Sequence, residues 1–97
     1  MMLKRLLEEK REDIIEIAAR HGAYNVRIFG SVARGEDNEN SDFDFLIDYD
    51  LDKVTSWFPG GLLVDLEELL GRKVDIVTEK GLNDLIRKRI LTEAIPL

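Results

Sequence analysis

Gly30-Ser31-Val32-Ala33-Arg34-Gly35, followed by Ser41-Asp42-Phe43-Asp44-Phe45-Leu46-Ile47, is the stretch on which the reading of this chain turns. Its second half alternates like a strand over 42–49. Asp42 and Asp44 share one face, with Phe43 and Phe45 on the other, because successive side chains in a strand point to opposite faces. Two carboxylates so placed repel each other unless a cation lies between them. Oxygen donors suit Mg²⁺ or Mn²⁺, since the chain has no cysteine and a single histidine, His21. The first half ends a strand with a glycine and opens a short helix over 31–36. Such a bend offers N–H groups to an anion, and glycine lets a phosphate approach. Taken alone, Gly30-Ser31 equally describes an ordinary turn with Ser31 as N-cap. Beside a carboxylate pair it points to phosphoryl or nucleotidyl transfer. Arg34 either reaches a phosphate from that helix or is solvated.

Working outward, 25–30 is rich in β-formers and reads as the strand before the bend. Leu3, Leu6, Leu7, Ile14, Ile17 and Ala18 recur at helical spacing and predict one helix over 3–21, with His21 at its C-terminal end and Gly22 as the stop. After Pro59-Gly60-Gly61, the spacing of Leu62, Leu66, Leu69 and Leu70 predicts a second long helix, closed by Gly71. Residues 73–78 predict a third strand. It carries Asp75 between Val74 and Ile76, where a carboxylate either joins Asp42 and Asp44 or lies on a solvated face. A last helix from near Asn83 carries Leu85, Ile86, Ile90, Leu91 and Ala94, and Pro96 stops it. Asp48 is expected to face solvent, and Arg87-Lys88-Arg89 to form an exposed face. Trp57-Phe58 is either core or a contact patch. Helices alternating with strands imply an α/β fold, a small mixed sheet of three to four strands flanked by helices.

Composition limits the function. Ninety-seven residues suffice for one small domain, expected to be a single unit over 1–97. Residues 36–52 hold eight carboxylates and no Lys or Arg, leaving a net +2 elsewhere in a chain whose total is −6. An acidic chain argues against direct nucleic-acid binding, which depends on neutralising phosphates, and against an anionic membrane. No apolar run approaches the ~20 residues that span a bilayer. The first residues turn acidic too early for a signal peptide. The cytoplasm is the expected location.

The joint motif carries a resemblance. Gly30-Ser31, ten intervening residues, then Asp42-Phe43-Asp44 reproduces a G-S-x10-D-x-D signature, and Leu69-Leu70-Gly71-Arg72-Lys73-Val74-Asp75-Ile76-Val77-Thr78 supplies a third carboxylate. The chain resembles the minimal nucleotidyltransferases of the DNA polymerase β superfamily from about residue 12 to residue 95. More narrowly, it resembles the antitoxins of HEPN–MNT toxin–antitoxin pairs, a type VII-like system. The resemblance implies that Asp42, Asp44 and Asp75 are catalytic and hold two Mg²⁺ ions, with Mn²⁺ as an alternative. It implies that Gly30, Ser31 and Arg34 bind the nucleotide and that Asp75 takes the acceptor's proton. ATP would donate AMP to a tyrosine hydroxyl of a partner HEPN ribonuclease. Larger relatives carry an added helical domain, so the missing surface is expected from a docked protein acceptor, in a homo-oligomer or a hetero-oligomer with the toxin. Two other functions stay open: an antitoxin that neutralises by binding alone, and a nucleotidyltransferase for a small molecule of the aminoglycoside kind.

Overall fold

Lys10 and Arg11 interrupt the apolar stripe of the first helical stretch, and the chain bends there. The computed structural model, which describes residues 2–97, has a helix over Met2–Glu9 (α1) and a second over Arg11–Arg20 (α2) in place of the single helix expected. The break lets Leu3 and Leu7 of α1 meet Ile14, Ile17 and Ala18 of α2 on one core. His21 caps α2, and its ring is tied to Asp65 Oδ2 at 2.7 Å.

The first strand, β1, spans Ala23–Phe29 and runs straight into a five-residue helix, Gly30–Arg34 (α3). Next come β2 (Phe43–Tyr49), α4 (Gly60–Leu70) and β3 (Val74–Thr78). Gly71 ends α4 at φ 66°, a left-handed conformation that glycine adopts without a Cβ penalty. A short 3₁₀ turn at Glu79–Gly81 leads to α5 (Asp84–Glu93), whose N-cap Asn83 accepts from the Leu85 N–H at 2.7 Å. Ile95–Pro96 forms β4, where the sequence suggested only a helix stop. Pro96 is tolerated because β4 is an edge strand, where a missing N–H costs no ladder bond.

The sheet order is β3-β2-β1-β4. β2 runs parallel to β3 and antiparallel to β1, and β4 is antiparallel to β1. One face buries Phe43, Phe45 and Ile47 of β2 under α1, α2 and α4, with Leu62, Leu66 and Leu70 from α4. The opposite face holds a smaller cluster, Leu46, Leu82 and Ile90, with Phe29, Val77 and Ala94 packed on it. Because β2 alternates, Asp44 and Asp48 lie on this second face with Leu46. The helix α5 covers that face thinly. Ile90 is its one buried residue, whereas Leu85 is 90% exposed, so the apolar spacing overstated this helix's contact with the core.

Asp48 does not simply face solvent as expected. Between Tyr24 and Arg27 the β1–β2 register shifts, and Asn25 takes φ 50°. The irregularity turns Arg27 onto the second face, where it is 8% exposed. Its guanidinium donates to Asp48 Oδ1 at 3.1 Å, Glu79 Oε1 at 2.7 Å and the Asn25 carbonyl at 2.9 Å. A buried charge needs partners of this kind. Arg27→Met is therefore expected to lower unfolding stability by about 2 kcal/mol, since Asp48 and Glu79 lose their cation yet keep some access to water. Urea denaturation of the two proteins checks this.

Candidate active site

Asp42 is delivered by a loop that fixes itself. The Asn40 N–H donates to Asn38 Oδ1 at 2.8 Å, and the Asn38 N–H donates to Ser41 Oγ at 2.9 Å. These are the local side-chain-to-backbone bonds that Asn and Ser favour in turns. Arg72, just past α4, donates to the carbonyls of Ser41 and Glu39 and pins the loop to the neck of β3. The Phe43 N–H then reaches the Lys73 carbonyl at 3.1 Å, and the parallel pairing of β2 with β3 begins.

That pairing sets Asp44 directly opposite Asp75. Registered residues of paired strands share a face, so the two carboxylates stand side by side on the α5 face of the sheet. Asp75 is exposed near the start of β3 and yet stands beside Asp44, so it meets both of the alternatives the sequence left open. Asp44 is half-buried. Burial pushes its carboxyl up, the charges of Asp75 and then Asp42 push it further, and a hydrogen bond shared with Asp75 adds to this, reaching about 6. Three carboxylates therefore feel one another. As they stand, no group of three or more His, Cys, Asp or Glu side chains among the described residues is gathered tightly enough to hold a metal ion. The donor chemistry nevertheless fits a hard divalent cation. The donors are all oxygen, His21 is occupied with Asp65, and the mutual repulsion at Asp44 is what such a cation relieves.

Gly30 meets this pair from β1. It takes φ 75°, and a Cβ added to it would stand 2.1 Å from Asp44 Oδ2. No side chain fits between that backbone and the carboxylate. Gly30→Ala is expected to cost about 1–2 kcal/mol in backbone strain and to push Asp44 out of place. A lowered Tm together with loss of transferase turnover tests this. Gly30 also starts α3, with Phe29 at the N-cap position, so Ser31 is the second residue of the helix and not its cap. The positive φ of Gly30 makes the turn that a Ser31 cap would otherwise have made.

Glu93 belongs to none of the motifs read from the sequence, yet it joins the site. The Gly30 N–H donates to Glu93 Oε2 at 2.8 Å, and Arg34 Nη1 donates to Glu93 Oε1 at 2.6 Å. Arg34 Nε donates to Glu36 Oε1 at 3.0 Å. Burial alone would push the Glu93 carboxyl up, but the bonds from Arg34 and Gly30 outweigh it and hold the group below its usual range. Glu93 lies 63 residues from Gly30. Its one trace in the sequence is an acidic side chain closing α5 after Arg87-Lys88-Arg89.

The site is an open face and not an enclosed cavity. A hollow of about 540 Å³ lies at the far end of the sheet, walled by Tyr24, Tyr49, Lys53 and Lys80, with none of the three carboxylates among its walls. Its two lysines suit an anion, but no cluster of carboxylates stands there to hold a cation, so the carboxylate face is the candidate. Trp57 is 67% exposed while Phe58 packs against the core, which divides a segment the sequence left undecided.

Comparison with known proteins identifies the family and the fold. The model of the nucleotidyltransferase domain matches residues 7–97. This chain belongs to that family. The nucleotidyltransferase is 38% identical over 94 residues to a Methanocaldococcus jannaschii protein named "Putative protein adenylyltransferase MJ0435", covering 92% of this chain and 95% of that one. It is 36% identical to protein adenylyltransferase MntA of Thermococcus cleftensis, covering 82% of this chain and 80% of that one. A solved structure described as a "putative minimal nucleotidyltransferase" superposes with a TM-score of 0.85 at 47% identity, covering 97% of this chain and 95% of that one. Another, described as a toxin-antitoxin with AMP-PNP, shares the fold at a TM-score of 0.73 and 21% identity, over 88% of this chain and 69% of that one. The fold is that of a minimal nucleotidyltransferase, with a mixed four-stranded sheet. Among the described residues, no helix is long and apolar enough to cross a membrane.

Proposed function

We propose that this nucleotidyltransferase is the antitoxin of a toxin–antitoxin pair and acts by transferring AMP from ATP to a hydroxyl of its toxin, a HEPN ribonuclease modified on tyrosine. The observation that carries the reading is the position of Asp44, held between Asp75 across the β2–β3 pairing and the bare Cα of Gly30. Carboxylates gathered on an open face beside a glycine backbone offer hard oxygen donors to cations and an approachable main chain to a phosphate chain. The relatives named as protein adenylyltransferases support a protein acceptor. The AMP-PNP complex of a structural neighbour is consistent with ATP as donor.

In this reading Asp42, Asp44 and Asp75 would hold divalent cations, Mg²⁺ or Mn²⁺, which supply neutralisation of the triphosphate charge. Gly30 and Ser31 line the path of the phosphates, and Arg34 reaches them by exchanging its exposed partner Glu36 for a phosphate while Glu93 still holds it. Asp75, the exposed member of the three, takes the proton of the acceptor hydroxyl. The acceptor oxygen bonds to the α-phosphorus, the α–β bridging bond breaks, and pyrophosphate leaves with its electron pair. The open face requires a docked partner to exclude water and align the hydroxyl.

The test incubates the protein with the product of its neighbouring gene, ATP and Mg²⁺, and weighs both chains. The reading expects the partner to gain one or more AMP units, with no gain for the Asp42→Asn/Asp44→Asn double variant. An unmodified partner that is still neutralised, by the wild type and the double variant alike, would replace this reading with inhibition by binding.

A further inference from the structure

Glu93 has no place in the chemistry above, yet it holds both ends of the helix that faces the phosphates. One carboxylate oxygen accepts from the Gly30 N–H and the other from Arg34 Nη1, at 2.8 and 2.6 Å. Gly30 and Arg34 are the first and last residues of α3. The Glu93 side chain is only 16% exposed. Its backbone is anchored from two directions. Ile90, one helical turn earlier, is buried in the second cluster, and Ile95, two residues later, pairs with Ile28 of β1. Both bonds are charge-assisted, the stronger kind of hydrogen bond.

We infer that Glu93 is a positioning residue for the transfer reaction, clamping the Gly30–Ser31 bend and Arg34 into the arrangement that receives the triphosphate. It touches none of the reacting atoms. Its effect passes through Gly30, whose Cα faces Asp44 while its N–H is held by Glu93, and the Glu93 charge bears more weakly on Asp44 itself. A bend free to rotate would lose that alignment, and small misplacements of this kind cost large factors in binding and rate. The opposite reading treats Glu93 as an internal anion competing with the triphosphate for the same donors. The two readings predict opposite signs. This inference rests on the nucleotidyl-transfer reading of the site.

The experiment measures Mg²⁺·AMP-PNP affinity by calorimetry for the wild type, Glu93→Ala, Glu93→Gln and Ile17→Ala, at a temperature where circular dichroism shows all four folded. The clamp predicts at least ~10-fold weaker binding for Glu93→Ala, in line with other residues that support a binding group from behind. Glu93→Gln should recover part of that loss, because its amide oxygen still accepts from Gly30. Ile17→Ala loosens the core on the α2 side, in the other hydrophobic cluster from the one that anchors α5, and should bind within about twofold of the wild type. Tighter or unchanged binding in Glu93→Ala overturns the clamp, as does an equal loss in Ile17→Ala, which would reduce Glu93 to a general support. A wild type that fails to bind AMP-PNP fails the nucleotidyl-transfer reading itself, a result distinct from a wild type that binds and a Glu93→Ala that binds as well.

Discussion

Asp44→Asn is expected to abolish nucleotidyl transfer, by roughly 10³-fold or more, while making the metal-free protein more stable. The two effects share one cause. Asp44 titrates at about 6 in the fold, against an ordinary 3.8, because of burial and the charges of Asp75 and Asp42. A carboxyl with a raised folded value favours the fold while it is protonated. That contribution is complete below pH ~4 and is lost as the pH climbs through 6. At pH 7.5 the metal-free wild type therefore carries a repulsion that the neutral, isosteric Asn lacks. Because Asp44 is half-exposed, solvent screens this to on the order of 1 kcal/mol. For a domain of this size, that corresponds to several degrees in Tm. Millimolar Mg²⁺ should raise the wild-type Tm by mass action and leave the variant's unchanged. Thermal melts with and without Mg²⁺ read all of this. A variant that melts lower than the wild type without metal would mean that Asp44 supports the fold and is not a strained functional group.

Phe43→Ala is expected to be the most damaging single change to stability, at about 3–5 kcal/mol. The Phe43 side chain is fully buried and stacks on Phe45 with ring centroids 6.2 Å apart. Folded domains have only about 5–15 kcal/mol in total, so the variant should be partly unfolded near 40 °C. Phe43 also separates Asp42 from Asp44, and it is the first residue of β2 to bond with the neck of β3. The cavity it leaves should therefore loosen the carboxylates as well. Turnover in Phe43→Ala should fall by more than the unfolded fraction accounts for, which activity measured at 15 °C against 35 °C would resolve. Turnover that tracks the folded fraction alone would show that Asp42 and Asp44 are held independently of the core beneath them.

The parts of this molecule governed by local rules were legible in the sequence. The alternation of Asp42-Phe43-Asp44-Phe45 stated which side chains face the core and which face the site, and the structure buries both phenylalanines completely. Gly71 marked the end of α4 because its left-handed turn is a property of that residue alone. What escaped depends on partners far along the chain. The Arg27 network needs the irregularity at Asn25, Asp48 from β2 and Glu79 from beyond β3. The Glu93 clamp needs two long-range contacts that no periodicity announces. The edge strand at Ile95–Pro96 was hidden by a proline whose ordinary role is to stop a helix. Helical spacing also misjudged α5, since periodicity reports a stripe of apolar residues and not whether another element covers it.

The most direct test of the account follows the label of ATP into the partner protein. Incubation with α-labelled and, separately, γ-labelled ATP in the presence of Mg²⁺ should place label on the partner from the α-position only. Asp44→Asn and Asp75→Asn should each remove it. Label arriving from the γ-position, or full transfer by Asp75→Asn, would contradict a site in which Asp44 and Asp75 act together on the α-phosphate.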